Sequence, residues 1–137
     1  MIKQIFVNLH VKDLSRAREF YTKLGFTINE QFSDHTGACV VMSDNIYAML
    51  LTHDKFKQFT PKEISDSTKT TEVLNALSVE NKEQVNKMVD AAIGAGGSEA
   101  RPAEDHGFMF SRAFNDLDGH IWEIFYMDMN AIPENEK

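Results

Sequence analysis

One acidic residue, Glu123, lies in an apolar stretch where a charged side chain needs a specific reason to be present. The stretch from Phe114 to Asp128 reads FNDLDGHIWEIFYMD and places Glu123 between Trp122 and Ile124. A carboxylate in such surroundings must be paired with a cation, bound to a metal ion or turned towards water. In an apolar hollow its pKa should rise, which would suit a general base. The carboxylate could equally anchor a ligand amine or hydroxyl, or have a purely structural role.

Arg112 is the candidate partner of Glu123, because it lies in a second apolar stretch, FMFSRAFND. The two side chains could form a salt bridge across adjacent antiparallel strands. Arg112 could instead bind an anionic substrate. Alternation along the strand puts Ile121 and Phe125 on the face of Glu123, which favours the interior of a cleft. The other face would pack against a helix and carries Trp122, Ile124 and Tyr126.

Other catalytic arrangements are not visible in the sequence. It has no G-x-S-x-G, H-E-x-x-H, C-x-x-C or G-x-x-x-x-G-K motif. The GAGG stretch at 94–97 follows a predicted helix rather than opening one, so it indicates a helix end and not a phosphate loop. The single cysteine, Cys39, lies in the apolar run GACVVM. It is predicted to be a small buried side chain rather than a reactive thiol.

Length and composition indicate one globular domain, residues 1–137. The chain is 42% apolar and 26% charged, which is typical of a folded protein. Its net charge of −7, without a basic stripe, disfavours nucleic acid and anionic membranes as partners. No apolar run approaches the roughly 20 residues of a membrane span, and the mixed N-terminus does not resemble a signal peptide. A cytoplasmic location is therefore expected.

The predicted elements repeat in the order strand, helix, strand, strand, strand. Module 1, about 1–54, has strands at Ile5–Val11, Phe26–Phe32, Ala38–Met42 and Ile46–Thr52, and a helix with apolar positions Leu14, Ala17, Phe20, Tyr21 and Leu24. Module 2, about 72–128, has strands at Glu72–Val79, Ser98–Arg101, Phe108–Asn115 and His120–Met127, and a helix capped by Asn81 and Gln84. The connector, about 55–71, is predicted to contain a helical turn near Pro61–Ile64, with Phe56 and Phe59 attaching it to the body.

The two module openings align at an offset of 68, with Val11 matching Val79. Asn8 and Asn75 occupy similar places near the two strand openings. A buried asparagine needs hydrogen-bond partners, so a structural role is favoured for both. Asn8 shares a strand face with Phe6 and is the better candidate to line a cleft.

The motifs V-x-D-L, F-Y-x-x-L-G-F and D-x-D-G-x-x-x-E, in LHVKDLSRAREFYTKLGF and NDLDGHIWEIFYMD, resemble the vicinal oxygen chelate superfamily. That group includes glyoxalase I, bleomycin and fosfomycin resistance proteins and extradiol dioxygenases. The chain looks most like small bacterial proteins called predicted lactoylglutathione lyases. The resemblance implies an α+β fold of two tandem βαβββ modules that form a curved mixed sheet around a ligand cleft. It also implies a homodimer.

The resemblance further implies a metal site with one ligand on each of four strands. The corresponding positions here are Phe6, Leu50, Leu74 and Glu123, of which the two middle ones depend on the strand register. Phe and Leu offer no lone pairs to a cation, and one carboxylate cannot hold a transition metal tightly. His10 lies about 13 Å along the strand from Phe6 and cannot substitute. We therefore expect no metal and no other cofactor, with a divalent metal disfavoured.

Three classes of function remain. The first is metal-independent binding of a small, partly apolar molecule in the cleft, as in the bleomycin resistance branch. The second is a glyoxalase-like lyase or isomerase in which Glu123 removes a proton next to a carbonyl and Arg112 stabilises the enolate. An assembly role, in which the sheets serve only dimerisation, is a third class. Whether the protein is an enzyme stays open. The candidate ligand-binding residues are Phe6, Asn8, Leu50, Leu74, Arg112 and Glu123.

Overall fold

The computed structural model describes residues 1–131, which form two compact units that divide after residue 70. The first unit contains β1 (Ile5–Val11), α1 (Leu14–Lys23), β2 (Thr27–Asp34), β3 (Gly37–Val41), β4 (Ile46–Thr52) and α2 (His53–Lys57). The second unit contains β5 (Asn75–Ser78), α3 (Lys82–Gly94), β6 (Ser98–Asp105), β7 (Met109–Asn115) and β8 (Ile121–Met127).

The two units share one sheet topology. The first sheet has the strand order β1-β4-β3-β2 and the second β5-β8-β7-β6. In each sheet the first strand pairs in parallel with the last, and the other pairings are antiparallel. The parallel pairs β1–β4 and β5–β8 need a crossover connection. The antiparallel neighbours in each sheet are consecutive in the chain and need only short connections. The predicted α+β fold of two tandem βαβββ modules is thus confirmed, with a four-stranded mixed sheet in each module.

The core of the first unit lies between α1 and one face of its sheet. Ala17, Phe20 and Tyr21 are the buried positions of α1, as their helical spacing predicts. The sheet contributes alternate residues that are almost fully buried: Leu9, Val11, Ala38, Val40, Ala48 and Leu50. Asp13 caps the helix by accepting a hydrogen bond from the Arg16 backbone N–H. Because side chains alternate along a strand, the residues between these buried ones point away from α1.

The second unit is built in the same way around α3. Asn81 accepts from the Gln84 backbone N–H, and the Gln84 side chain accepts from the Glu80 backbone N–H, which completes the predicted helix cap. Val85, Val89 and Ala92 are fully buried on α3. Trp122 and Ile124 are buried on β8, which packs against α3. Their prediction as the helix-facing side of the last strand is confirmed.

Three boundaries differ from the sequence predictions. Strand β6 continues through Pro102 to Asp105, whereas it was predicted to end at Pro102. Proline is tolerated there because β6 is an edge strand, and its pairing with β7 shifts register twice. The helical turn expected near Pro61–Ile64 is instead α2, which follows β4 directly. Strand β5 has four residues, fewer than the eight predicted.

Both glycine-containing turns have the local structure that the sequence predicts. The GAGG stretch ends α3, where Gly96 has a φ of +108° and the Gly97 N–H donates to the Ala92 carbonyl. Gly119 has a φ of +88° in the turn before β8. In that turn the buried Asp116 carboxylate accepts hydrogen bonds from two backbone N–H groups. Neither segment has the geometry of a phosphate-binding loop at a helix start.

Candidate functional site

Glu123 is paired with an arginine, but the arginine is Arg101 on β6. An Arg101 Nη2–H donates to Glu123 Oε2 over 2.9 Å. The same nitrogen donates to the hydroxyl of Ser111 over 3.1 Å. The two charged side chains are about a quarter to a third exposed, with 25% for Glu123 and 30% for Arg101. The carboxylate therefore has a cation partner rather than purely apolar surroundings.

This ion pair spans three strands of the second sheet. Arg101 lies opposite Ala113 on β7, and Ala113 lies opposite Glu123 on β8. Residues opposite one another in a sheet project from the same face. Because Ala113 ends at its Cβ atom, the guanidinium can extend over it to the carboxylate. Ala76 on β5 completes the row on the far side of Glu123.

Glu104 adds a second carboxylate beside Arg101. Its Oε1 lies 3.8 Å from Arg101 Nη1, and its Oε2 lies 3.3 Å from His106 Nε2. The Glu104 side chain is half exposed, so its attraction to Arg101 is weakened by solvent. Arg101, Glu104 and Glu123 together carry one net negative charge with His106 neutral. The charges on this face of the second sheet are hence nearly balanced.

Arg112 lies on the opposite face of the second sheet, so the predicted Arg112–Glu123 salt bridge is wrong. It is opposite Ile124 in the register, one residue out of phase with Glu123. Its guanidinium donates to Glu99 through two nitrogens, each over 3.0 Å, and to Asn86 and Asp90. The Glu99 hydrogen bond raises the pKa of Arg112, and the same bond holds the pKa of Glu99 below its usual value. Only 12% of the Arg112 side chain is exposed.

The strand register also changes the assignment on β4. Phe6 lies opposite Tyr47, whereas Leu50 lies opposite Leu9, three residues further along β1. Leu50 therefore faces α1 and is fully buried, and it does not share a face with Phe6. Phe6 is 46% exposed and stacks on Tyr47 with ring centroids 4.6 Å apart. The expectation that Phe6 and Leu50 point into one site is wrong by one residue of register.

Comparison of the two modules identifies the position that corresponds to Glu123. The helix caps Asp13 and Asn81 differ by 68 residues, so Asn8 on β1 corresponds to Ala76 on β5. Asn8 pairs with Met49, and Ala76 pairs with Glu123. Met49 is consequently the first-module equivalent of Glu123. The predicted match of Asn8 with Asn75 is wrong by one residue.

The same offset makes Leu74 the equivalent of Phe6. Leu74 precedes β5 and is 58% exposed. The four positions that the family uses for metal ligands are thus Phe6, Met49, Leu74 and Glu123. Only Glu123 offers a hard donor, since a thioether is a weak ligand for most divalent ions. These residues do not fit the family's metal site.

Histidines do not compensate for the missing ligands. His10 is buried on β1, where its ring meets those of His53 and Phe56 edge-on and its Nε2 lies 3.3 Å from the Ser67 hydroxyl. Between residues 1 and 131, no group of three or more His, Cys, Asp or Glu side chains is arranged to hold a metal ion. Cys39 is buried as predicted, and its burial raises the pKa of the thiol.

A cavity of about 320 Å³ lies in the first unit, on the sheet face that carries Phe6 and Met49. Its lining is formed by one residue of β1, one of β4, and three from α2 and the segment after it: Asn8, Leu51, Phe56, Phe59 and Thr60. Phe56, predicted to attach the connector, packs on His10, while Phe59 is 70% exposed. Of these residues, only Asn8 was a sequence candidate for ligand binding.

Comparisons with known proteins agree with this architecture. The family model for the bleomycin resistance protein-like N-terminal region matches residues 3–43. No curated protein matches the sequence. A hypothetical protein from S. aureus is 27% identical over 92% of this chain and 94% of its own, with a TM-score of 0.77.

Two enzymes of known structure share the fold at lower identity. A glyoxalase-related enzyme from Fulvimarina pelagi is 21% identical over 90% of this chain and 88% of its own, with a TM-score of 0.76. A glyoxalase/bleomycin resistance protein/dioxygenase family enzyme from Burkholderia phytofirmans PsJN is 19% identical over 89% and 96%, with a TM-score of 0.73. The chain thus has the fold of these glyoxalase/bleomycin resistance/dioxygenase family proteins, and its first third is similar to the bleomycin resistance protein-like N-terminal region. The match over residues 3–43 and the shared fold agree with the predicted resemblance to the vicinal oxygen chelate superfamily.

Among the described residues, no helix combines the length and the apolar character that a membrane crossing requires.

Proposed function

We propose that this protein binds a small, partly apolar molecule without the metal ion of its superfamily. The observation that carries the proposal is the residue set at the four ligand positions. Phe6, Met49 and Leu74 cannot coordinate a hard cation, and the fourth residue, Glu123, is engaged by Arg101. The apolar cavity beside Asn8 supplies a volume suited to a small organic molecule, at the lower end of the usual range of about 300–1,000 Å³.

Metal analysis of the purified protein tests the first part of this proposal. We expect no stoichiometric uptake of Zn²⁺, Ni²⁺ or Mn²⁺ in calorimetric titrations, and no difference between the wild type and Glu123→Gln. Tight binding of one ion per chain that Glu123→Gln abolishes would overturn metal independence. A tight site unaffected by that substitution would overturn it as well.

A neutral fluorescent dye tests the second part. N-phenyl-1-naphthylamine gains fluorescence in apolar surroundings, so a saturable rise at one dye per folded chain is expected. The protein unfolded in urea is the control and should give no saturable signal. Absence of saturable binding by the folded protein would contradict a small-molecule binding function.

A lyase or isomerase reaction is the rival function, and Glu123 would be its base. Its carboxylate is held in an ion pair by Arg101, and Arg112 is on the other face of the sheet, so the predicted enolate stabiliser does not face the base. If the wild type turns over the methylglyoxal–glutathione hemithioacetal and Glu123→Gln does not, the protein is an enzyme and the binding proposal is wrong. We expect no turnover above the rate of the unfolded control.

A further inference from the structure

The cavity of the first unit has a lining that discriminates by charge. Three of its five residues are apolar, and the other two, Asn8 and Thr60, are neutral hydrogen-bonding residues. None of the described residues that line the cavity is acidic or basic. Because none of these five residues is charged, they offer an ionised ligand group no ion-pair partner, whereas the amide of Asn8 and the hydroxyl of Thr60 can bind a neutral polar group. The lining therefore selects for a neutral molecule.

Asn8 and Thr60 have hydrogen-bonding capacity to offer a ligand. The Asn8 side chain makes no hydrogen bond to any part of the chain that the structure describes, and its amide can both donate and accept. The Thr60 hydroxyl oxygen accepts from the Lys62 backbone N–H over 3.1 Å, which leaves its proton available to donate. A ligand with a carbonyl oxygen and an N–H or O–H group beside it would match these two side chains.

The apolar part of the lining is aromatic. Phe56 is half-buried and held edge-on against His10, so it forms a fixed part of the wall. Phe59 is 70% exposed although it lines the cavity, and Lys55 Nζ lies 5.6 Å from the centre of its ring. A flat ring bound between these side chains would remove apolar surface of Phe59 from water. A volume of about 320 Å³ is enough for one or two fused rings with a short substituent.

We propose that this cavity, lined by Asn8, Leu51, Phe56, Phe59 and Thr60, binds a neutral aromatic molecule that carries a carboxamide-like group. This assignment rests on the proposed binding function and names its ligand class and its site. In this arrangement Phe59 packs against the aromatic ring of the ligand, and Asn8 and Thr60 form hydrogen bonds with its polar group.

The test uses 2-naphthamide and 2-naphthoate, which share one ring system and differ in the charge of the substituent. Binding is followed by ¹⁵N–¹H correlation spectra of the full chain during titration. We expect the dissociation constant of the naphthamide to be at least tenfold lower than that of the naphthoate. Equal affinities, or tighter binding of the naphthoate, would overturn the neutral-ligand assignment.

Three substitutions locate the site. Phe59→Ala and Asn8→Leu should each weaken naphthamide binding by about five- to tenfold. Phe32→Ala is the matched control, because Phe32 is 66% exposed on β2 and does not line the cavity; it should leave the affinity unchanged. All three positions are exposed, and thermal melting verifies that each variant is folded. Naphthamide binding that neither cavity substitution weakens would place the ligand elsewhere and overturn the assignment.

The two proposals fail in different ways. If the chain binds N-phenyl-1-naphthylamine but not naphthamide, the ligand class proposed for this cavity is wrong and the binding function stands. If it binds neither, both are wrong. Metal uptake is judged separately from both probes.

Discussion

The two modules of this chain place different residues in equivalent rows across their sheets. In the second module the row is Arg101, Ala113, Glu123 and Ala76, and its two charged residues form an ion pair over the small residue between them. In the first module the row runs Asn29, Cys39, Met49 and Asn8. The small central residue is kept as Cys39, but both charges are absent.

This difference shows that the scaffold fixes where side chains point but not their chemistry. The βαβββ topology and the buried helix-facing rows are the same in the two modules. The rows that face away from α1 and α3 therefore carry a charge pair in one module and an uncharged set in the other, of which Asn8 lines the cavity. Because the topology does not dictate the residues in these rows, the fold alone does not name a ligand.

The largest effect is expected when the first module is given the acid of the second. Met49→Glu should lower the free energy of unfolding by about 2–3 kcal/mol at pH 7, because the half-buried carboxylate would have no cation in its row. Met49→Leu is the control for loss of the thioether and should cost less than about 1.5 kcal/mol. Urea unfolding measures both.

Adding Asn29→Arg to Met49→Glu tests the equivalence of the rows directly. The new guanidinium would lie opposite Cys39, as Arg101 lies opposite Ala113. It should recover about 1 kcal/mol relative to Met49→Glu alone, less the loss of the bond that the Gln31 N–H donates to Asn29. A double variant no more stable than Met49→Glu would contradict the matched geometry of the two rows.

The two arginines of the second module should differ in their contribution to stability. Arg112→Met removes a guanidinium that is 12% exposed and has partners Asn86, Asp90 and Glu99. It should cost about 2 kcal/mol. Arg101→Met should cost about 1 kcal/mol or less, because its side chain is 30% exposed. If chemical denaturation gives equal losses of stability for the two variants, exposure of the arginine does not decide its contribution.

Acid should reduce the cost of Arg112→Met. The hydrogen bond from Arg112 depresses the pKa of Glu99 in the folded protein. The stability that this ion pair contributes is therefore complete above the ordinary glutamate pKa of about 4.3. It is lost as the pH falls through the depressed folded-state pKa. The difference in unfolding free energy between wild type and Arg112→Met should therefore be smaller at pH 3 than at pH 7. A difference that stays constant over this range would exclude the ion pair as its source.

The sequence predicts the fold and the helix-facing positions well, because periodicity reports burial directly. It also identifies Glu123 as a charge that needs a partner. Its actual partner was missed because Arg101 precedes Pro102, which was expected to end the strand, and because the strand bulges there. A signal for excluding Arg112 was present. The turn that closes between Asn115 and Ile121 fixes pairs whose numbers sum to 236, which puts Arg112 opposite Ile124.

The cavity could not be predicted in the same way. Its walls come from the connector, whose composition shows no periodicity and whose helix lies eight residues earlier than the predicted turn. The β4 assignment failed by one residue because a run such as YAMLLT is apolar on both faces and does not reveal its phase. Contacts set by register and by irregular segments thus require the structure, whereas those set by periodicity do not.

The smallest difference is expected at the two helix starts, where the modules are alike. Asp13→Ala and Asn81→Ala each remove a side chain that accepts the backbone N–H three residues later. Each should cost about 1 kcal/mol, since that N–H loses its partner at the helix end. Asn81→Ala leaves the bond from the Glu80 N–H to the Gln84 side chain intact, so its loss should not exceed that of Asp13→Ala. Near-equal values from urea unfolding would show that the two modules share their local folding signals, although the rows that face away from α1 and α3 differ. A loss at one cap several times larger than at the other would show instead that the modules are not equivalent even in their framework.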